Sequence, residues 1–338
     1  GSGTWNAFQY AGAGNGPQVF SFNKPVAISS VSLCQYDPSA VTIIASAYSD
    51  ATGTTLLGTE SIAMPAHDAP AGQNYVWQSF TGFAQYGQTI RRIEFNATGG
   101  INPNAQVDNI IIDSIGTLPG IQSLTQPLTR AIFQRNNQNL AMVPVAGTYT
   151  GLPTQIEARA IVMSGYKGVP LDWQVIADSP AGGTFNTTMA VEAGGWYRIE
   201  VRAVTHGEVG VIAAVERVGI GDVFITAGQS NSANWGTPAM NPANDIVSAW
   251  TGAGWRHAYD PQPVADGTVG GSPWSRLADM LVNEFDVPVG FISVGVGGTA
   301  ISRWIPTAND LYPRIRSAIS AAGPNGMRAI LWHQGESD

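Results

Sequence analysis

The sequence predicts a multidomain, β-rich chain: two N-terminal β-sandwich modules, residues 1–117 and 118–220, followed by an α/β parallel-sheet domain over 221–338. Three observations carry this expectation. The 40 glycines and 21 prolines among 338 residues suit short strands joined by tight turns rather than helical bundles. Up to about Ile220 the apolar runs are strand-length and bounded by Gly, Pro, Asn and Asp. From Gly221 onward, strand-like runs alternate with amphipathic helical stretches, the pattern of parallel pairing.

In the first module the expected strands are Ala27 to Tyr36, Val41 to Tyr48, Thr55 to Ala63, Tyr75 to Phe80, Ile90 to Asn96 and Val107 to Ile115. Trp5 and Trp77 read as core residues, and Cys34, with no second cysteine to pair with, as a buried thiol. The closing run Gln106 to Asp113 resembles the last strand of galactose-binding-like jelly rolls, the kind of module expected here as an accessory unit. Thr117-Leu-Pro119-Gly120 marks a break. About seven further strands, from Arg130 to Val218, give the second module an immunoglobulin-like or fibronectin-like reading.

The third segment reads as strand Asp222 to Ala227, helix Pro273 to Phe285, strand Val289 to Val294, helix Asn309 to Ala322 and strand Met327 to Trp332. Leu277, Met280, Leu281 and Phe285 are expected on the buried face of the first helix, and Leu311, Ile315 and Ile319 on that of the second. Ligands of such sheets bind beyond the carboxyl ends of the strands. All three strands end there in polar or glycine-rich segments: Gly228-Gln-Ser-Asn231, Gly295-Val-Gly297-Gly298-Thr299 and Gln334-Gly-Glu-Ser-Asp338. Asp222, at a strand start, is expected at the opposite end in a structural role.

Acyl transfer needs a nucleophile, donors aimed at the oxyanion, and a base. Ser230 follows a strand and leads into a turn, so its hydroxyl can stand exposed with its own N–H aimed at the oxyanion. Gly297 offers a second backbone donor, Gly298 a lesser one, and Gln334 a side-chain amide. Gln229, Asn231 and Glu336 are supporting polar residues. Trp235, Trp274 and Trp304 flank these segments and are expected to line a substrate groove, with His257 as a further substrate contact on a long loop. No His or Cys cluster has metal-ligand spacing, so neither a metal nor a cofactor is expected.

Gly-Gln-Ser-Asn, the Gly-Gly-Thr segment ending at Trp304, and Trp-His-Gln-Gly-Glu-Ser-Asp resemble the first three blocks of the SGNH hydrolase superfamily. Among its members they are most similar to the sialate O-acetylesterase-like and acetylxylan-esterase-like carbohydrate esterases. The resemblance implies a flavodoxin-like domain, Ser230 as nucleophile, and an oxyanion hole of the Ser230 amide, Gly297 and Gln334. It also implies a base His, three residues after an Asp, well beyond the Gln-Gly-Glu segment. None of His67, His206, His257 and His333 follows an Asp at that spacing. The expectation is therefore a C-terminally incomplete esterase domain, its base and an edge strand supplied by polypeptide beyond Asp338 or by another chain. The expected substrate is an acetylated carbohydrate. A polysaccharide-binding protein with an inactive SGNH portion, and a general acyl esterase or lipase, are the alternatives.

Charge narrows the partners. A net charge of −8, with Lys24 and Lys167 isolated, argues against nucleic acid. No apolar run approaches the roughly 20 residues that cross a bilayer as a helix. Low lysine content and many small polar residues favour a secreted, extracellular or periplasmic protein.

Overall fold

The computed structural model describes residues 3–12, 17–35, 40–66, 76–98, 104–116, 119–205, 208–308 and 310–338. His67, His206 and parts of the expected 117–120 break and of the second helix start lie outside the described residues, as do the side chains of Trp5 and Cys34. The described chain forms two compact units. One comprises residues 1–120, 150–154 and 204–210; the other comprises 121–149, 155–203 and 211–338.

The first unit holds β1 (Gly3–Gly12), β2 (Gln18–Gln35), β3 (Val41–Tyr48), β4 (Leu56–Met64), β5 (Val76–Phe80), β6 (Ile90–Thr98) and β7 (Asn104–Ile115). They pair antiparallel in the order β1-β7-β2-β6-β3-β4, with β5 also on β2. Alternation at Ile43, Ala45 and Ala47, and at Ile93 and Phe95, turns one face of the sheet into a core with Phe80 and Phe83. Trp77, expected in that core, is instead 48% exposed. It sits one residue out of phase with Phe80's face, so the pleat turns it to solvent.

The second unit continues with β8 (Gly120–Gln126), β9 (Ile132–Gln134), β10 (Leu140–Thr150), β11 (Gln155–Lys167), β12 (Leu171–Asp178), β13 (Thr184–Glu192) and β14 (Gly194–Thr205), while the short β15 (Glu208–Val209) belongs to the first unit. Then come β16 (Ala213–Gly228), β17 (Val247–Trp250), β18 (Trp255–His257), α1 (Trp274–Phe285), β19 (Val289–Ser293), α2 (Tyr312–Ala321) and β20 (Ala329–His333). A three-stranded sheet, β13-β10-β8, shares a core with part of a ten-stranded sheet, β12-β11-β14-β16-β19-β17-β18, in which β20 and β9 also pair with β16.

The sixteen-residue strand β16 organises this unit. Its first part is antiparallel to β14, from Val201↔Ala213 to Gly194↔Ile220. Its second part is parallel to β19 and β20, as the strand–helix alternation predicts. The boundary expected at 220/221 falls inside this strand. Gly221 is required there by close approach: a Cβ would stand 1.9 Å from the Pro288 carbonyl oxygen.

Helices cover both faces of the parallel part. Val223, Ile225 and Ala227 pack with Leu311, Ile315 and Ala318 of the α2 side, whereas Phe224 packs with Trp274, Ala278 and Val282 of α1. The expected helix faces need correction. Trp274, Ser275, Ala278 and Val282 are the buried residues of α1, while Met280 (61%) and Phe285 (50%) are exposed. In α2 the face runs Leu311, Ile315, Ala318, Ala322, and Ile319 is 41% exposed. A strict four-residue step drifts around a 3.6-residue helix, so the small Ala318 holds the core position that Ile319 was expected to hold.

Candidate active site

At the carboxyl end of β16 the chain must pass close to β20 and turn. Gly228 makes that possible: at φ +123° it occupies a backbone region disfavoured for other residues, and a Cβ would lie 1.8 Å from the His333 carbonyl oxygen. Gln229 N–H donates to that oxygen (3.0 Å), and Ser230 opens a single 3₁₀ turn, Ser230–Ser232. Ser230 is half-buried, and among the described residues no group is hydrogen-bonded to its hydroxyl or its N–H. Beneath it, the Ser232 hydroxyl donates to the Gln229 carbonyl (2.9 Å).

The three predicted segments converge. Val296 N–H donates to the Gly228 carbonyl (2.9 Å), laying the loop after β19 along the end of β16. Gln334 Nε2 donates to Thr299 O (2.7 Å), Gln229 Oε1 (3.2 Å) and Asp338 Oδ1 (3.2 Å). Ser337 N–H also donates to Gln229 Oε1 (2.9 Å), and the Asn231 amide to Glu336 Oε1. The Glu336 backbone N–H and the Asn231 amide together hold the Glu336 carboxyl below the usual carboxylate range.

This geometry alters the expected donor set. The Gly297 N–H donates to Asp266 Oδ2 (3.0 Å), and the same oxygen accepts from Trp235 Nε1 (3.3 Å). The Gln334 amide braces all three segments, and its Oε1 is buried without a partner. Of the three expected oxyanion donors, the Ser230 N–H is therefore the one standing open. Gly298, at φ +65°, has open space where a side chain would project.

The predicted substrate contacts divide. Trp235 is 60% exposed beside Gly297. Trp274 and Trp304 are core residues, 6% and 4% exposed, and their indole N–H groups donate to Ser232 O (2.8 Å) and Thr299 Oγ1 (3.0 Å). They hold the turns from below rather than line a groove. His257 is also displaced: in the β17–β18 hairpin it pairs with Ser248, which lies beside Gly290 and so level with Val223, at the start of the parallel part of β16. Five residues of strand, about 16 Å, separate that level from Gly228. There His257 Nε2 faces the Asn244 carbonyl (3.1 Å). His333 lies level with Gly228, half-exposed, with Nε2 3.3 Å from Glu336 Oε1. It borders, with Asn231, a cleft of about 370 Å³ that Ser230 does not line.

Asp222, at the start of the parallel part of β16, is the structural residue expected. Burial pushes its carboxyl up, but hydrogen bonds from Arg135 and Arg328 outweigh this and hold it below the ordinary range. Asp266 is the residue that sequence reading missed. It sits in a Gly- and Pro-containing loop with no periodicity, and its backbone stitches the site: Asn234 N–H donates to Asp266 O and Asp266 N–H to Gly295 O, both 2.9 Å.

Residues 220–338 match the model of the family described as carbohydrate esterase, sialic acid-specific acetylesterase. The resemblance of the three segments to sialate O-acetylesterase-like carbohydrate esterases agrees with this match. An Arabidopsis thaliana protein named "Probable carbohydrate esterase At4g34215" is 28% identical over 141 residues, covering 34% of this chain and 54% of its own length. A solved structure of an Arabidopsis thaliana protein, AT4G34215, aligns at 25% identity over 34% of this chain and 58% of that one, with a TM-score of 0.30. A carbohydrate acetylesterase from Xanthomonas citri aligns at 21% identity over 64% of this chain and 52% of that one, with a TM-score of 0.38. The chain spans about half the length of these relatives.

Proposed function

We propose that residues 220–338 form the nucleophile-bearing part of an O-acetylesterase that removes acetyl groups from a carbohydrate through a Ser230 acyl-enzyme. The observation that carries this reading is the position of Ser230: on a tight turn at the carboxyl end of a central parallel strand, its hydroxyl and N–H without a partner among the described residues. The Ser230 oxygen attacks the acetyl carbonyl carbon, and the oxyanion settles on the Ser230 N–H. Gly297 becomes a second donor when the acyl oxygen replaces Asp266 Oδ2 at its N–H. Gln334 contributes by exchanging one of its present acceptors. Collapse of the tetrahedral adduct releases the sugar alcohol and leaves acetyl-Ser230, which water hydrolyses.

The proton from Ser230 needs a base. His257 lies at the far end of the sheet, and His333 faces Glu336, so we assign the base to a histidine outside these residues. Acetate release from an acetylated sugar, measured on the complete protein and on its Ser230→Ala variant, tests the reading. The unsubstituted protein should release acetate and the variant should lose at least about a thousandfold in kcat. Equal rates in the two would overturn it.

A further inference from the structure

We infer that Trp235 and Asp266 form the subsite for the sugar ring, and that this subsite selects a neutral acetylated sugar over an anionic one. The inference rests on the proposed esterase reading for the position of the ester, and adds the residues that recognise what carries it.

Trp235 is a large indole left 60% exposed at the carboxyl end of the sheet, yet its position is set from several sides. The preceding Asn234 is buried: its Nδ2 donates to the carbonyls of Gln262 (2.9 Å), Gly267 (3.0 Å) and Ala265 (3.3 Å), and its Oδ1 accepts from Gln262 N–H (2.6 Å). The indole N–H is tied to Asp266 Oδ2. An exposed aromatic ring held this firmly loses little freedom when a ligand stacks on it, and its face suits the C–H face of a pyranose. The ring abuts Gly297, where a Cβ would meet the indole nitrogen at 2.6 Å, so a sugar on Trp235 lies beside the loop that faces the end of β16.

Asp266 sets the polarity of this subsite. Its Oδ2 already takes two N–H groups, leaving Oδ1 to accept sugar hydroxyls. The adjoining segment adds the carboxylates of Glu336 and Asp338. Among the described cations, Arg303 pairs with Asp310 through its Nε (2.5 Å), His333 faces Glu336, and Arg314 donates to the carbonyls of Val264 and Val294. A sugar carboxylate arriving at Trp235 would thus meet the negative charge of Asp266, Glu336 and Asp338.

The test uses the full chain carrying Ser230→Ala, so that esters survive the titration, and reads binding calorimetrically with two probes. These are a mono-O-acetylated methyl xyloside and 9-O-acetyl-N-acetylneuraminate. At low salt the xyloside should bind about tenfold more tightly, and the gap should narrow as ionic strength rises. Adding Trp235→Ala should weaken xyloside binding about tenfold, while Trp235→Tyr, which keeps a ring, should restore most of it. Adding Asp266→Asn should bring the two probes to within about twofold of each other. The inference is overturned if the xyloside does not bind, if the neuraminate binds as tightly, or if a folded Trp235→Ala protein binds the xyloside unchanged. Acetate release by the unsubstituted protein is scored separately, so failure of the esterase reading is not confused with failure of the subsite.

Discussion

Arg328 and Asp222 clamp the start of the parallel part of β16 to the residue before β20: the Arg328 guanidinium donates to Asp222 Oδ1 through both Nε (3.0 Å) and Nη2 (2.7 Å). Arg135 takes the other carboxylate oxygen at 2.9 Å. Asp222→Asn keeps the shape but leaves two guanidiniums facing a neutral amide. A loss of about 2 kcal/mol is expected in denaturant unfolding, less than for a wholly enclosed pair because Arg328 is 40% exposed. The folded carboxyl titrates below its unfolded value, so this contribution is complete above about pH 4 and fades as pH falls through the folded value. The gap between the two proteins should close in acid.

Asp245 gives a second acid-sensitive contribution. Burial raises its carboxyl, but donors from Trp196, Tyr166 and Arg130 bring it down to about 2. Asp245→Asn should cost about 1 kcal/mol near neutral pH, discounted for a side chain 39% exposed. Thermal melts of the two proteins should differ above pH 4 and converge as the pH approaches 2.

Gly228→Ala should damage the turn that carries Ser230 without altering Ser230 itself. The new methyl group meets the His333 carbonyl oxygen at 1.8 Å in a backbone region that alanine avoids, so β16 and β20 must part. A destabilisation of about 3 kcal/mol is expected in denaturant unfolding, with faster amide exchange at Gln229, whose N–H bonds to that same carbonyl.

Trp274→Ala and Trp304→Ala should behave alike and differ from Trp235→Ala. Each empties a core site and should cost about 3 kcal/mol in unfolding, with an unchanged ratio of affinities for neutral and anionic sugars. A selective loss of sugar binding in either, with stability intact, would return that residue to the substrate groove.

The parts of the site that could be read beforehand were those with a chain-local signature. An apolar run stopping at glycine marks the end of β16, and the same grammar marks the ends of β19 and β20, so Ser230, Gly297 and Gln334 were found together. The tryptophans were not separable in this way. An indole beside a catalytic segment looks the same whether it packs beneath the turn, like Trp274, or stands above it, like Trp235. His257 was misplaced because a short hairpin returned its loop to the amino end of the sheet, a direction that composition does not encode. The hydrogen-bond economy of Asp266 exists only once three loops have met.

From Val218 onward, past the irregularity at Arg217, β16 is a ruler as well as a bridge. Side chains along a strand change face at every residue, so the phase set where Val218 and Ile220 pair with β14 is transmitted to Val223, Ile225 and the turn at Ser230. One residue inserted near Ile220 would have to be absorbed as a bulge, or it would send the downstream apolar residues to the wrong helix and turn Ser230 away with them. The upstream sheet thereby sets the reading frame of the downstream site, and the two can be expected to tolerate substitution far better than a change of length between them.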